Sequence, residues 1–586
     1  PSVLRNSEDK IMVFLYRSAY KKIEDLSQDE LRLGGLRVDP LRHIGSRITY
    51  YNKVEVTKLN ESKTAQNVIG LPENMKLSNF QFSPDEKKIA MTNTTQEGVE
   101  LWVLDIKTLF AKKIFEATVN ATMGNAIKWI NNKELIIKAL PSELKALINT
   151  NTTLPMGPTV TENRGSKAQN RTYQDLLKNP NDVFNFKQLS QSVLLKVNIN
   201  GEYSTWLPTR MYKNIQLSPN GAYVLIDFIK TPFSYIVPYS RFPTETHVYD
   251  VNANLIKVIN DTPLLEELPK GFMSTTTAKR NFRWRSDKPS TLSYFIALDK
   301  GDPAFLADYR DALYQWEAPF TSPPSYLTKV KNRIRNVYWG NDETAIITDR
   351  WWNTRNTKSY IFNPSKPGVK ARIINDRNYQ DVYSDPGNFV QQKNKFNQSV
   401  LLIENNSVFT IGNGFSQNGQ FPFLDKTNLS SGASKRVYQS PYLDKYENIL
   451  DYDIRKNEVL VRIESPNEYP NYYKKSLLSN KLDQLTFFKN PFKSLQNIKK
   501  EIINYKREDG LDLNGVLYVP DQNVTPQAKK PMILWAYPRE YKDKSSASQK
   551  TNNPNRFTYP SWGSPIYWAT QGYVVLDRAA FPIVGE

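Results

Sequence analysis

The residues best placed to do chemistry stand at the ends of two apolar runs near the C-terminus. Pro531-Met-Ile-Leu-Trp-Ala-Tyr537 breaks at Pro538 into a charged cluster that begins with Arg539 and Glu540. Gly572-Tyr-Val-Val-Leu-Asp577 runs directly into Arg578. Runs of this kind predict buried strands that deliver polar side chains to their C-terminal tips. In open α/β sheets those tips are where ligands bind. The composition narrows what the chemistry can be. Cys 0 excludes disulfides, cysteine nucleophiles, iron–sulfur clusters and cysteine zinc sites. His43 and His247 are the only histidines, so a histidine-rich metal site is not expected. No metal or organic cofactor is implied.

The elements that must position these tips are mostly strands. At 586 residues the chain exceeds one core, and two or more domains are expected. Its Tyr 33, Phe 27 and Trp 11 and its β-branched runs favour strands, while Pro 36 and Gly 24 supply turns. A theme recurs: an aromatic-ended strand, a polar turn, then an apolar strand. It is seen at Leu4–Phe14, Phe82–Met91, Trp129–Ile137, Leu217–Ile226, Trp284–Pro289, Trp339–Ile347, Phe396–Leu402 and Tyr452–Val461. Each predicts the inner hairpin of a four-stranded sheet, and such repetition points to a β-propeller of seven or eight blades. A large array of β-sandwiches is the alternative. Ser46–Val56 and Val99–Asp105 alternate as further strands.

Two stretches depart from the rhythm. Residues 141–187 read as an insertion between blade strands, with Pro155, Gly157, Pro158 and Gly165 and a short helical segment at Thr172–Lys178. From about residue 496 the pattern becomes strand, loop and helix, with a turn at Glu508-Asp-Gly510 between two strands. Domains are therefore expected at 1–495 and 496–586. Pro1-Ser-Val-Leu4 reads like the middle of a strand, so residues upstream are expected. No apolar run is long enough to span a membrane. The net charge of +19 attracts acidic partners or simply solvates the surface. No nucleic-acid motif accompanies it.

Here the chain resembles the prolyl oligopeptidase family of serine peptidases. The resemblance rests on Tyr505–Tyr518, Ala536-Tyr537, Tyr567–Leu576 and Arg462–Tyr473. Within that family it is most similar to the glutamyl endopeptidase branch of chloroplasts and bacteria. Asp29–Val38, Asn170–Lys178, Trp535–Lys542 and Phe581–Glu586 carry this. The resemblance implies a propeller in front of the first strands of an α/β-hydrolase domain. It also implies cleavage of peptides after acidic residues by a Ser-Asp-His triad. The G-x-S-x-G elbow of such enzymes is absent, and Gly414-Phe-Ser-Gln-Asn-Gly419 has the wrong spacing. Family order puts all three triad residues after Glu586, so this chain alone is expected to be inactive. Tyr537 takes the place of the family's oxyanion-donating tyrosine. Arg539 and Arg578 are candidates for holding an acidic substrate side chain, although plant members tend to have glycine at the position of Arg539.

Two other readings stay open. One is a catalytically inactive binding subunit of an envelope complex, and a weaker one is a nucleic-acid-binding propeller resting on charge alone. The expected partners are peptides, with no nucleic acid. The expected compartment is the bacterial periplasm or envelope, with the cytoplasm as the alternative.

Overall fold

The computed structural model describes every residue except 9, 19, 60, 150–151, 153–171, 521–528, 561–562 and 586. Strands dominate it. The polar turns explain why the chain reverses where it does. At Phe82-Ser-Pro-Asp the backbone N–H of Lys88 donates to the Ser83 hydroxyl at 3.0 Å, and Ser83 N–H donates to Lys88 O at 2.9 Å. The Ser218-Pro-Asn turn repeats this: Tyr223 N–H donates to the Ser218 hydroxyl at 3.0 Å. A serine at the strand end thus accepts from the first backbone N–H of the returning strand.

Eight four-stranded antiparallel units follow one another along the chain. The first comprises Ser2–Arg5, Ile11–Tyr16, Lys53–Lys58 and Gln66–Asn67, in that spatial order. The second runs from Leu77–Phe82 to Phe110–Phe115. The third and fourth share one long strand, Tyr203–Leu217, whose first part is the outer strand of one and whose second part is the inner strand of the next. The fifth and sixth begin at Arg280–Trp284 and Arg333–Trp339. The seventh is built on Ser407–Gly412, Phe423–Asn428 and Ser434–Gln439, and the eighth runs from Tyr446–Asp453 to Leu482–Gln484.

Each unit shares a buried apolar cluster with the next. Leu15 and Val54 meet Met91 and Leu104 between the first and second, and Leu101 meets Ile137 and Val197 between the second and third. Leu194 meets Ile226, Leu225 meets Leu292, and Leu313 meets Ile347 at the following seams. Ile346 meets Val408, and Phe409 meets Val461, at the sixth–seventh and seventh–eighth seams. The series returns to its start, because Leu460 and Leu485 of the eighth unit cluster with Met12 and Phe14 of the first. The units therefore form a closed ring of face-packed sheets. The first strands are innermost, since Arg5, Gln81, Lys128, Leu217 and Asp451 all border one cavity of about 890 Å³.

The structure amends three local readings. Phe396–Leu402 is not the inner hairpin of a unit. It lies in a small hairpin, Gln391–Lys393 against Ser399–Leu401, that interrupts the inner strand of the seventh. Thr172–Lys178 is not helical. The helix is Pro180–Ser190, where Asn179 accepts from Asp182 N–H as N-cap and Pro180 sits in the first turn. Residues 46–52 lie outside any strand, and the second-to-third connection of the first sheet ends only at Lys53. Gly157, Pro155, Pro158 and Gly165 fall outside the described residues.

A ninth sheet follows the ring. Its spatial order is Lys499–Lys506, Asp512–Val519, Val574–Val584, Met532–Tyr541, and the last two strands are parallel. The seam between the first and eighth units should be the sensitive part of the ring. Leu460→Ala leaves a cavity there and should cost about 2–5 kcal/mol, lowering the thermal midpoint. An unchanged midpoint would show that this seam does not close the ring.

Candidate functional site

The strand Met532–Tyr541 runs toward the ring, and polar contacts fasten its tip there. Gln380 Nε2 donates to Glu540 O at 2.7 Å, and Lys542 N–H donates to Gln380 Oε1 at 2.9 Å. Asn378 Nδ2 donates to Asp543 Oδ2 at 2.8 Å, Val382 N–H to Gln549 Oε1 at 2.8 Å, and Gln549 Nε2 to Asp381 Oδ1 at 2.6 Å. Asp543 also caps the short helix Lys544–Ala547. A second line of contacts joins Asn555 Nδ2 to Leu443 O at 2.7 Å and Arg556 to the Tyr446 hydroxyl at 3.2 Å. Asn378 ends the fourth strand of the sixth sheet, and Tyr446 begins the inner strand of the eighth. In an antiparallel four-stranded meander these two ends lie on the same face. The tip therefore stands over the mouth of the ring where the inner strands start.

The three residues expected to carry the site are all exposed. Tyr537 is 78% exposed and pairs in register with Ala580 of the parallel strand. Arg539 lies two residues on, opposite Pro582, with no register shift between them. Side chains at i and i+2 share a face, so the phenol and this guanidinium project together, roughly 6–7 Å apart along the strand. Neither makes a hydrogen bond or ion pair among the described residues. Arg578 does not join them. It sits at φ 50° beside the register shift and turns toward Asp577 at 3.8 Å. Its charge bears instead on Lys500, where burial is the main cause that lowers the ammonium to about 8 and Arg578 adds to it.

Glu540 is not held by its neighbour Arg539. Its carboxylate lies 3.8 Å from Arg355 of the sixth sheet. Arg355 is 1% exposed, lies 3.9 Å over the Trp352 ring and donates to Trp352 O at 2.7 Å. Stacking on an indole while sharing a carboxylate is a characteristic use of guanidinium. The sequence reading did not single out Arg355. The aromatic pair Trp351-Trp352 three residues earlier was the one available signal.

The same face carries a second layer over the other side of the ring. The connections between the second and third strands of the first, third and fourth sheets leave their sheets there and pack on one another. Leu33, Val38, Leu177, Phe186, Leu189, Val237 and Phe242 form its buried core. Two stretches singled out in the sequence meet in it. Arg37 Nε donates to Asp175 Oδ2 at 2.5 Å, and Gly35 N–H donates to Asp175 O at 2.7 Å. Gly35 has φ 88°, and a Cβ there would lie 2.8 Å from Pro238 Cβ, so this approach requires glycine. Asn170 and Arg171 lie outside the described residues.

Neither histidine approaches Tyr537. His43 is half-buried in the connection of the first sheet, and that burial lowers its imidazole from the ordinary value. His247 lies in the fourth sheet, 3.0 Å from Glu245 and 3.1 Å from the Tyr249 hydroxyl. Among the described residues no cluster of three or more His, Cys, Asp or Glu could hold a metal ion, and no helix is long and apolar enough to cross a membrane.

No family model matches the chain. A probable chloroplastic glutamyl endopeptidase of Oryza sativa subsp. japonica is 30% identical over 610 residues, covering 99% of this chain and 65% of that protein. Its counterpart in Arabidopsis thaliana is 29% identical over 608 residues, covering 99% and 63%. The likeness runs the whole length of the chain. The chain spans just under two thirds of these relatives. Among solved structures, oligopeptidase B from Leishmania major aligns at TM-score 0.44 and 9% identity, covering 86% of this chain and 60% of that one. An acylaminoacyl peptidase of Pyrococcus horikoshii aligns at 0.43 and 13%, covering 98% and 64%.

The second layer should respond to acid. Glu30 sits between the Ser46 hydroxyl, Arg47 and Arg32. Burial alone would push its carboxyl up, but these donors pull it from 4.5 down to about 2. A lowered folded value adds stability that is complete above the ordinary value and is lost as pH falls toward the folded one. Between pH 5 and pH 3 the wild type should therefore lose more thermal stability than Glu30→Gln. Equal losses would show that Glu30 is not held in this way.

Proposed function

We propose that this chain is the larger part of a serine-type endopeptidase, in which an eight-bladed β-propeller faces the first strands of an α/β-hydrolase domain. The observation that carries this reading is the 99% coverage of the chain by two probable glutamyl endopeptidases. The ninth sheet supports it. A parallel pair of strands presents an exposed phenol at a tip fastened over the mouth of a ring. The missing elbow motif, and histidines that lie in the first and fourth sheets, support a reading in which the serine, aspartate and histidine lie outside these 586 residues.

In this mechanism Tyr537 donates its hydroxyl hydrogen bond to the oxyanion that forms as the scissile carbonyl becomes tetrahedral. A donor aimed at developing charge, away from bulk water, acts on the transition state more than on bound substrate. Arg539, on the same face of the strand, offers a fixed cation for an acidic side chain on the acyl side of that bond. Bidentate contact from a guanidinium would favour glutamate over glutamine. Arg578 faces the Lys500 side of the sheet and is the weaker candidate. The ring limits access to chains that can enter its mouth.

The test uses the full-length protein and a matched pair of peptides that differ only in Glu or Gln before the cleaved bond. The wild type should prefer Glu. Tyr537→Phe should lower kcat about a hundredfold with little change in KM, as loss of one oxyanion donor does. Arg539→Ala should lower kcat/KM for the Glu peptide and leave the Gln peptide nearly unchanged. No cleavage of either peptide by the wild type would remove the peptidase reading. Cleavage without a Glu preference would remove only the role of Arg539.

A further inference from the structure

The inner strand of the seventh sheet is interrupted. Asn388–Phe389 and Ile403–Glu404 pair with the same neighbour, Ser407–Gly412. Between them Leu402 N–H donates to Val390 O at 3.0 Å, which closes the base of an excursion. That excursion is the hairpin Gln391–Lys393 against Ser399–Leu401. Its base is anchored in the core, because Leu401 packs with Ile346, Val408 and Leu429. Gly340 makes room for it, as a Cβ there would fall 2.6 Å from Ile403 Cδ1.

An excursion from an inner strand enters the central cavity, and this one crosses it. At its tip Asn394 Nδ2 donates to Ser286 O at 2.8 Å, on the turn that follows the inner strand of the fifth sheet. Asn397 Nδ2 donates to Pro84 O at 2.9 Å and reaches Glu86 Oε1 at 3.3 Å, on the corresponding turn of the second sheet. One element rooted in the seventh sheet is thus tied to the second and the fifth. Gln391, Gln392 and Lys393 border the cavity together with Arg5, Lys128 and Asp451. All three stay exposed, so the hairpin is not there to fill an apolar core.

Both tethering turns lie where inner strands end, whereas the ninth sheet is fastened where an inner strand begins. The hairpin therefore lies across the opposite mouth. We propose that Gln391–Leu401 is a tethered stopper that closes the far mouth of the ring, so that a polypeptide can enter only by the face on which Tyr537 stands. This inference concerns the shape of the ring and stands whether or not the protein proves to be a peptidase.

These 586 residues hold no cysteine, so a thiol introduced among them is read against the parent full-length protein, whose own reaction with the reagent is subtracted. In the full-length protein, Lys128→Cys places one thiol on the cavity wall. Its reaction with a bulky polyethylene-glycol maleimide should be slow. Adding Asn394→Ala and Asn397→Ala should speed it about tenfold, as expected for the loss of two tethering hydrogen bonds. Equal rates with an unchanged thermal midpoint would overturn the stopper. A second measurement does not need that variant to fold. Asn397→Cys combined with Glu86→Cys should join in high yield with a short bis-maleimide, and failure to join would show that the tip is not seated across the mouth.

Discussion

The structure depends on a simple constraint: a four-stranded sheet has two apolar faces and cannot bury both by itself. Each of the eight units solves this by pressing one face on its predecessor and one on its successor. A linear array would leave its two end faces in water, so the array must close. Among the described residues no strand is shared between the first and eighth sheets. Closure therefore rests on side chains: Met12 and Phe14 against Leu460 and Leu485, with Phe488 edge-on to Phe14 at 5.1 Å. An ion pair between Arg5 and Asp451, 3.7 Å apart, lies at the rim, where such pairs add little. The third and fourth sheets show the opposite arrangement. There one fifteen-residue strand, Tyr203–Leu217, serves both sheets and makes their joint covalent.

Because every unit repeats the same meander, each class of connection returns to the same face. Turns between first and second strands are short and lie on one face, and connections between second and third strands lie on the other. This is why the long excursions of the first, third and fourth sheets meet and share the core of Leu33, Phe186 and Phe242, despite separations of many tens of residues. The same rule puts the end of the sixth sheet at Asn378 and the start of the eighth at Tyr446 on that face, where the ninth sheet docks. One face becomes elaborate and the other is left with tight turns. On that plain face the hairpin from the seventh sheet is the exception.

The local parts of this were legible in the sequence. Seven of the eight aromatic–turn–apolar strings do head inner hairpins, because the signal is local: alternation sets the strand, and Ser83 or Ser218 with its proline sets the turn. The eighth, Phe396–Leu402, has the same letters and a different role, since nothing in a hairpin's own residues says whether it heads a sheet or leaves one. The strand that bears Tyr537 and Arg539 was legible from an apolar run ending in charge, but the run predicts a buried strand and this one is exposed along most of its length. Arg355 was not legible, because its meaning comes from Glu540, which lies 185 residues away in sequence and 3.8 Å away in space. The mistaken helix at Thr172–Lys178 has a similar cause. Asp175 at φ 60° gives its backbone oxygen to Gly35 N–H, a partner that no local propensity can weigh.

The two kinds of seam in the molecule differ in chemistry, and this bears on how a site between them can move. The ring is held by apolar clusters, in which truncating one large side chain costs about 2–5 kcal/mol. The ninth sheet is held to the ring by a mixture of contacts. Amide hydrogen bonds from Gln380, Asn553 and Asn555 are each worth about 0.5–1.5 kcal/mol net, and Asn378 and Gln549 bridge the parts through carboxylates. Arg355 adds a buried guanidinium near a carboxylate of the other part, and Tyr469 of the eighth sheet packs on Phe557 and Tyr559. Polar contacts thus make up a larger share of this seam than of the seams within the ring. The strand tip that bears Tyr537 and Arg539 stands on this more polar seam. Movement of that tip works against replaceable hydrogen bonds, while the packed sheets of the ring keep their shape.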